Sequence, residues 1–317
     1  MAKIELSIVV PLYNECENIT VLHKEISDVM RKLNKKYEII FIDDGSTDKS
    51  FEELEKIHRV DKSVKVIKFR RNFGQSAAIN AGFSNSKGDV IVVMDADLQN
   101  DPKDILKLVS KLNEGYDVVS GWRFKRNDSL SKRLFSKISN WLHKKLTKLE
   151  VHDSGCTLKA YTRESIKDLN LFGEMHRFIP ALIAAKGFKI TEVKVNHRER
   201  KYGKTKYGTT RLVHGFLDLI YIKFWTKYST RPLHFFGYLG IMPIILGIVI
   251  GIIKVLGLIR LFLNKEPIIV SPLLLFAVFL VIIGILLILF GFLAEMNVRM
   301  YAPQANKQNY QIERVLG

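Results

Sequence analysis

The sequence predicts an α/β protein: a mainly parallel sheet with helices on both faces, followed by interfacial helices and two transmembrane helices. Three observations carry that expectation. Apolar runs of strand length alternate with amphipathic helical segments over residues 1–210. Two later runs are apolar enough, and long enough, to cross a bilayer. The charge is lopsided: 49 Lys+Arg against 32 Asp+Glu gives +17 over 317 residues, and most of the excess falls in 120–150 and 194–231. A localised basic surface calls for an anionic partner such as phosphate ligands, anionic lipid or nucleic acid. With 47% hydrophobic and 26% charged residues, the chain is neither a disordered tail, nor a collagen, nor a small disulfide scaffold.

The elements follow in order. Strands are expected at 6–10, 37–42, 64–69, 90–94, 118–121 and 190–195, and helical patterns at 18–33, 51–60, 75–84 and 104–112. The opening MAKIELSIVVPLYNE is too short an apolar stretch, and wrongly flanked, for a secretory signal; it reads as a buried strand. Cys16 and Cys156 lie far apart without metal spacing, which predicts free thiols in a reducing compartment. Residues 129–146 place Leu130, Leu134, Ile138, Trp141, Leu142 and Leu146 at helical spacing among Lys132, Arg133, Lys137, Lys144 and Lys145. That pattern suits a helix on an anionic membrane surface. A second interfacial segment, 211–228, leads to the first span, with Trp225 and Tyr228 as headgroup-level anchors. A helix packed on the sheet with a solvated charged face is the alternative for both.

Residues 235–259 are apolar except for Lys254, and 272–294 carry no charge. A short polar hairpin separates them, so the chain returns to its starting side. Lys223, Lys227 and Arg231 precede the first span, and Arg299, Lys307 and Arg314 follow the second, which predicts cytoplasmic flanks. Arg260 and Lys265 in the hairpin oppose that orientation. The expected organisation is a globular domain at 1–210, an interfacial helix at 211–232, a two-helix hairpin at 233–296 and a tail at 297–317.

In open parallel sheets ligands bind beyond the carboxyl ends of the strands. Here four strand ends read PLYNE, DDGSTD, RRN and DADLQ, three of them bearing carboxylates. In extended geometry Asp95, Asp97 and Gln99 share one face, so their oxygens can approach one divalent cation. Mg²⁺ or Mn²⁺ prefers such ligands and takes the rest from phosphates and water, which makes a diphosphate the natural co-ligand. The alternative is that these acids cap the helix beginning near Pro102. Glu15 and Asp44 can accept hydrogen bonds from ribose or base groups, and Pro11 and Tyr13 supply an apolar wall. Gly45 permits the tight turn of DDGSTD, and Ser46 or, by preference, Asp48 caps the next helix.

The set VVPLYNE, DDGSTD, NFGQSAAINAG, MDADLQNDP, SGWR, HDSGCTLKAY, GEMHRFIPAL and RKYGKTKYG resembles the family 2 glycosyltransferases of GT-A fold. Within them it is most similar to the polyprenyl-phosphate sugar synthases, dolichyl-phosphate mannose synthase and the bactoprenol glucosyltransferases, over roughly residues 5–232. The resemblance implies that Pro11, Tyr13, Glu15, Ile42 and Asp44 line a nucleoside pocket. It implies that Asp95, Ala96, Asp97 and Gln99 surround diphosphate and metal, with Asp97 and Gln99 as direct ligands. Arg123 matches an arginine near the transferring phosphates, and Arg200 and Lys206 match a phosphate clamp. Thr205 stands where the family usually has serine, and Asn100, Asp101 and Pro102 are a mild variant after DLQ. His176 and Arg177 match a motif whose job the residues do not reveal.

The activity so implied is inverting transfer of a hexose from a nucleotide-diphosphate sugar to polyprenyl phosphate, UDP-glucose-like being favoured over GDP-mannose. Asp97 and Arg123 would serve the leaving diphosphate, and Asp153 is the carboxylate to nominate as base or acceptor-orienting group. Turn capping before Gly155 is its other role. The partners expected are the nucleotide sugar, the polyprenyl phosphate and membrane lipid, without nucleic acid, and the spans can mediate a homo-oligomer. Two other readings stay open. A processive polysaccharide synthase would carry more spans and a QxxRW motif, which this sequence lacks; a membrane-anchored basic binding module would leave the carboxylate clusters unexplained.

Overall fold

The computed structural model describes residues 4–33, 35–124, 151–171, 173, 175–199, 224, 228, 231–264 and 271–304. The segments 129–146 and most of 211–228, expected at the membrane surface, lie outside them, as do Trp225, Arg200, Thr205 and Lys206. The chain forms two compact units, Met1–Ile222 and Lys223–Gly317.

The first unit is built on a seven-stranded sheet. Its elements are β1 (Leu6–Leu12), α1 (Cys16–Leu33), β2 (Tyr37–Asp43), α2 (Ser50–Val60), β3 (Val64–Lys68), α3 (Gln75–Asn85), β4 (Val90–Val93), a 3₁₀ turn (Pro102–Asp104) and α4 (Ile105–Leu112). Then come β5 (Val118–Arg123), β6 (Lys159–Thr162), α5 (Arg163–Ile166), a 3₁₀ turn (Met175–Phe178), α6 (Ile179–Ala184) and β7 (Ile190–Val195). The strand order is β3-β2-β1-β4-β6-β5-β7. All neighbours are parallel except β6, which runs antiparallel to both β4 and β5.

β6 is the strand that sequence periodicity did not announce. It is four residues long, KAYT, with a lysine at its start, too short and too polar for a period-2 pattern to stand out. Its place is set by its neighbours: Lys159 pairs with Val93 on one side and Ser120 on the other.

Alternation along the central strands fills two cores. Ile8, Val10, Ile39, Phe41 and Val92 point to one face, against Ile19, Leu22 and Ile26 of α1, Leu54 of α2 and Leu108 of α4. Val9, Ile40, Ile42, Ile91 and Val93 point to the other, against Ala78, Ile79 and Phe83 of α3 and Ile179 and Ile183 of α6. Gly82 lets α3 come close: a Cβ there would sit 2.3 Å from Val9 Cγ1. The chain order reverses at β1 and β4, so α1 and α3 cover opposite faces; beyond the carboxyl ends of two such strands is where open sheets of this kind bind ligands.

The second unit contains α7 (Pro232–Leu263) and α8 (Pro272–Gln304), 32 and 33 residues long. At 1.5 Å per residue each exceeds about 30 Å of hydrocarbon. Both expose most of their large apolar side chains, including Ile245, Ile252, Leu286 and Phe290, as suits a lipid solvent. Phe224 and Tyr228 pack their rings on Phe235.

Glycine lets the two helices touch. A Cβ on Gly284 would lie 2.4 Å from the carbonyl oxygen of Gly240 and 2.4 Å from Ile244 Cγ1; one on Gly247 would lie 2.6 Å from the carbonyl oxygen of Ala277. Small residues allow such backbone approach in lipid, where packing rather than hydrophobicity drives association. Gly284→Leu is therefore expected to weaken the hairpin by roughly 1–3 kcal/mol. Gly251→Leu, at a position with nothing within 4 Å, is expected to change little. Unfolding in mixed micelles checks both; equal effects would refute the seam.

Candidate active site

β1 and β2 end in two loops that clasp each other. Asn14, held at φ 54, donates its backbone N–H to Ser46 Oγ (2.9 Å) and accepts from the Thr47 N–H (2.8 Å). Asp48 accepts from the N–H groups of Ser50 (2.9 Å) and Cys16 (3.3 Å), so one carboxylate serves the first turns of both α2 and α1. Gly45 (φ 70) must be glycine, since a Cβ would meet the Arg71 carbonyl carbon at 2.4 Å.

Asp44 is buried, and its two oxygens accept from the N–H groups of Phe73 (2.7 Å) and Gly74 (2.9 Å). Burial raises its pKa against those two bonds. It thus ties β2 to the loop that starts α3. The other nucleoside-pocket candidates divide. Tyr13 and Glu15 are partly exposed, and Glu15 Oε2 accepts from Asn18 Nδ2 (2.6 Å). Pro11 is buried in β1, and Ile42 is fully buried in the core under α3.

The DADLQ segment departs from extended geometry. β4 stops at Val93, Leu98 adopts φ 62, and the Gln99 N–H turns back to Asp97 Oδ1 (3.1 Å). A turn, not strand alternation, therefore brings the carboxylates together. Neither caps the following turn: Asp101 does, accepting from the Lys103 N–H at 3.1 Å. Asp97 is 8% exposed and Ala96 is buried. Asp95 accepts from Gln75 Nε2 (2.9 Å) and from the Thr157 hydroxyl. Burial, and then the neighbouring Asp97 charge, push its carboxyl up to about 6.

That shift has a consequence for stability. Ionised Asp95 is disfavoured in the folded protein, so below its ordinary carboxylate range it costs nothing; its penalty grows as pH rises from that range to about 6 and is level above. Asp95→Asn is expected to melt higher than the parent at pH 7.5 and alike at pH 4, in the absence of divalent cation. Thermal unfolding at the two pH values checks this; a pH-independent difference would refute it.

Arg123, the last residue of β5, grips Asp153 with a two-pronged fork, Nε to Oδ2 at 2.7 Å and Nη2 to Oδ1 at 2.8 Å. The side chains are 14% and 5% exposed. Burial opposes the guanidinium charge, but Asp153 outweighs it, and the pKa of Arg123 is raised. Asp153 is thereby an orienting partner of Arg123. Cys156, in the same loop, is a buried thiol pushed up to about 11 by desolvation, hence inert.

Residues with no assigned role in the sequence reading complete the frame. The first turn of α3 is a junction: Gln75 reaches Asp95, and Ser76 Oγ lies 3.0 Å from His176 Nδ1 while accepting from its backbone N–H (3.1 Å). Arg198 bonds Glu25 (2.7 Å) and Asp101 (2.8 Å), and Asn196 donates its N–H to Asp104 Oδ2 (2.6 Å). These bonds tie the segment after β7 to the loop after DADLQ. The motif MDADLQNDP flagged the second of these but no motif covered Asn196 or Arg198, and pairing over about a hundred residues leaves no periodicity to read.

Among the described residues, no three His, Cys, Asp or Glu side chains gather to hold a metal alone. Asp95, Asp97 and Gln99 can offer oxygen atoms to a hard dication, which would draw further oxygens from a ligand. Such a cation would offset both the burial and the Asp97 charge that raise Asp95.

Residues 7–169 match the family model "Glycosyl transferase family 2". The chain is 38% identical to a dodecaprenyl-phosphate galacturonate synthase of Rhizobium johnstonii, over 98% of this chain and 93% of that one. The chain belongs to glycosyltransferase family 2. It is 37% identical to an undecaprenyl-phosphate 4-deoxy-4-formamido-L-arabinose transferase of Salmonella choleraesuis, over 98% and 94%. Among solved structures, this glycosyltransferase resembles glucosyl-3-phosphoglycerate synthase from Mycobacterium tuberculosis, in complex with Mn²⁺, UDP and phosphoglyceric acid. The TM-score is 0.52, with 19% identity over 70% of this chain and 78% of that one. It also resembles a mannosyltransferase from Pyrobaculum calidifontis in complex with GDP-Man and Mn²⁺, with a TM-score of 0.50 and 21% identity over 70% and 65%. These likenesses identify the sheet as GT-A. The two long apolar helices are the part of the glycosyltransferase that suits a membrane.

Proposed function

We propose that this glycosyltransferase moves a hexose from a UDP-glucose-like nucleotide sugar to polyprenyl phosphate, with inversion, at the cytoplasmic face of a membrane. One observation carries the reading. Two proteins whose names place a sugar on dodecaprenyl or undecaprenyl phosphate match nearly end to end, through the apolar helices as well as the sheet. The orientation rests on the basic flanks, Lys223, Lys227 and Arg231 before α7 and Arg299 at the end of α8. The organisation proposed remains a catalytic domain at 1–210, an interfacial helix at 211–232, the hairpin at 233–296 and a tail.

The chemistry asks little of a general base. The attacking group is a phosphate oxygen, and a phosphomonoester with a second pKa near ~6 is largely dianionic at neutral pH. What must be supplied is stabilisation of charge on the departing diphosphate. Arg123 presents a guanidinium there, its fork oriented by Asp153, and Arg200 and Lys206 add a clamp. A bound Mg²⁺ or Mn²⁺, held by Asp95, Asp97 and Gln99, would offset the same charge. Tyr13, Glu15 and Asp44 are proposed to meet the nucleoside. Single displacement predicts that an α-linked donor gives a β-linked product.

The test is a donor panel on the detergent-solubilised protein with a short-chain polyprenyl phosphate and Mn²⁺ or Mg²⁺. UDP-glucose, UDP-galacturonate, UDP-4-formamido-arabinose and GDP-mannose are compared by mass spectrometry of the lipid product. A sugar-phosphate lipid from at least one donor is expected; no lipid product from any donor would sink the reading.

A further inference from the structure

Lys159 is buried, 3% exposed, at the first position of β6. A buried ammonium is costly unless its protons are satisfied. Here they meet main chain, not carboxylate: among the described residues Nζ donates to the carbonyl oxygens of Ser154 (3.3 Å) and Cys156. Those two carbonyls alternate with the loop's contacts to the site. Asp153 takes the Arg123 fork, Gly155 packs so closely that a Cβ would lie 3.3 Å from Arg123 Nη2, and Thr157 bonds Asp95. The loop therefore touches the arginine and the first carboxylate through residues 153, 155 and 157, while the lysine grips it through 154 and 156. Because β6 pairs with both β4 and β5, its first residue stands between the strands that deliver Asp95 and Arg123.

We propose that Lys159 is a positioning residue of the transferase: its ammonium fixes the 153–157 loop, and through it the placement of Arg123 and Asp95. The proposal rests on the glycosyl-transfer reading for its kinetic consequences only. Geometry held by groups outside direct contact commonly matters 10–100-fold in metal affinity or rate.

The test compares Lys159→Met, which keeps the length and removes the donors, with Lys159→Gln, which restores a neutral donor. In the full-length protein, Lys159→Met is expected to lower kcat roughly 10–100-fold with donor KM changed less than about threefold. Lys159→Gln should recover most of that loss. A Lys159→Met/Thr157→Val double variant should be no worse than the poorer single, because both act through one loop. Independently of activity, hydrogen exchange should show protection lost over 151–158 in Lys159→Met and retained in β4 and β5. Unchanged protection of 151–158 overturns the proposal whatever the protein's activity. So does wild-type kcat in Lys159→Met, or a Gln variant as slow as the Met variant. A parent protein that transfers no sugar while the loop loses protection would sink the functional reading and leave the positioning role standing.

Discussion

Replacing Asp97 by alanine is expected to lower sugar transfer at least about a hundredfold with the fold intact. The carboxylate is 8% exposed and sits in the turn beyond β4. The bond it accepts from the Gln99 N–H at 3.1 Å is worth about 1 kcal/mol. The carboxylate's proposed functional work is to hold a dication against a diphosphate, for which charge and oxygen donors are both needed. Asp97→Asn separates the two, keeping the shape and an acceptor while removing the charge. It should be nearly as inactive as alanine, and extra Mn²⁺ should restore it in part. Initial rates over a Mn²⁺ titration, beside thermal melting, are the measurement. Full activity in Asp97→Ala would remove the metal assignment.

Breaking the Arg123–Asp153 pair is expected to have the next largest effect, and on both stability and rate. Removing one partner of a buried ion pair leaves the other uncompensated, at a cost of about 3–5 kcal/mol. Arg123→Ala should therefore melt well below the parent and transfer no measurable sugar. Asp153→Asn is the more instructive variant. A carboxylate acting as base would set the acidic limb of the pH–rate profile, and its amide would flatten that limb. A carboxylate that orients Arg123, as the 2.7 and 2.8 Å contacts argue, lowers the rate about equally at every pH. The orienting role further predicts that Asp153→Asn adds little to Arg123→Lys. An abolished acidic limb would favour the base role instead, and fully additive losses would refute orientation of Arg123.

Much of the fold was readable because burial on both faces writes itself into sequence. β1 and β2 are continuous apolar runs that end in PLYNE and DDGSTD, and no helix competes for them at that length. The hairpin was legible for a similar reason: a bilayer accepts only long uncharged stretches. β6 was hidden, since a four-residue strand beginning with lysine takes its conformation from β4 and β5, not from its own pattern. At the site, residue types announced themselves but partners did not. Asp153 showed in sequence as a carboxylate of open purpose, and only folding set it against Arg123, thirty residues away. Gln75, Ser76 and Lys159 drew no role at all, because their meaning lies in Asp95, His176 and a loop's carbonyls.

By itself, then, the order of residues determined which elements form, which strand ends bear acids, and that two apolar helices follow. These depend on local pattern and on transfer from water, both properties of short segments. Tertiary structure alone decided which carboxylate answers which cation, that a turn brings Asp95 and Asp97 together, and that a lysine is buried for the sake of two carbonyls. Hydrogen bonds and ion pairs act over about 3 Å, and residues that distant along the chain come within that range only when the sheet assembles.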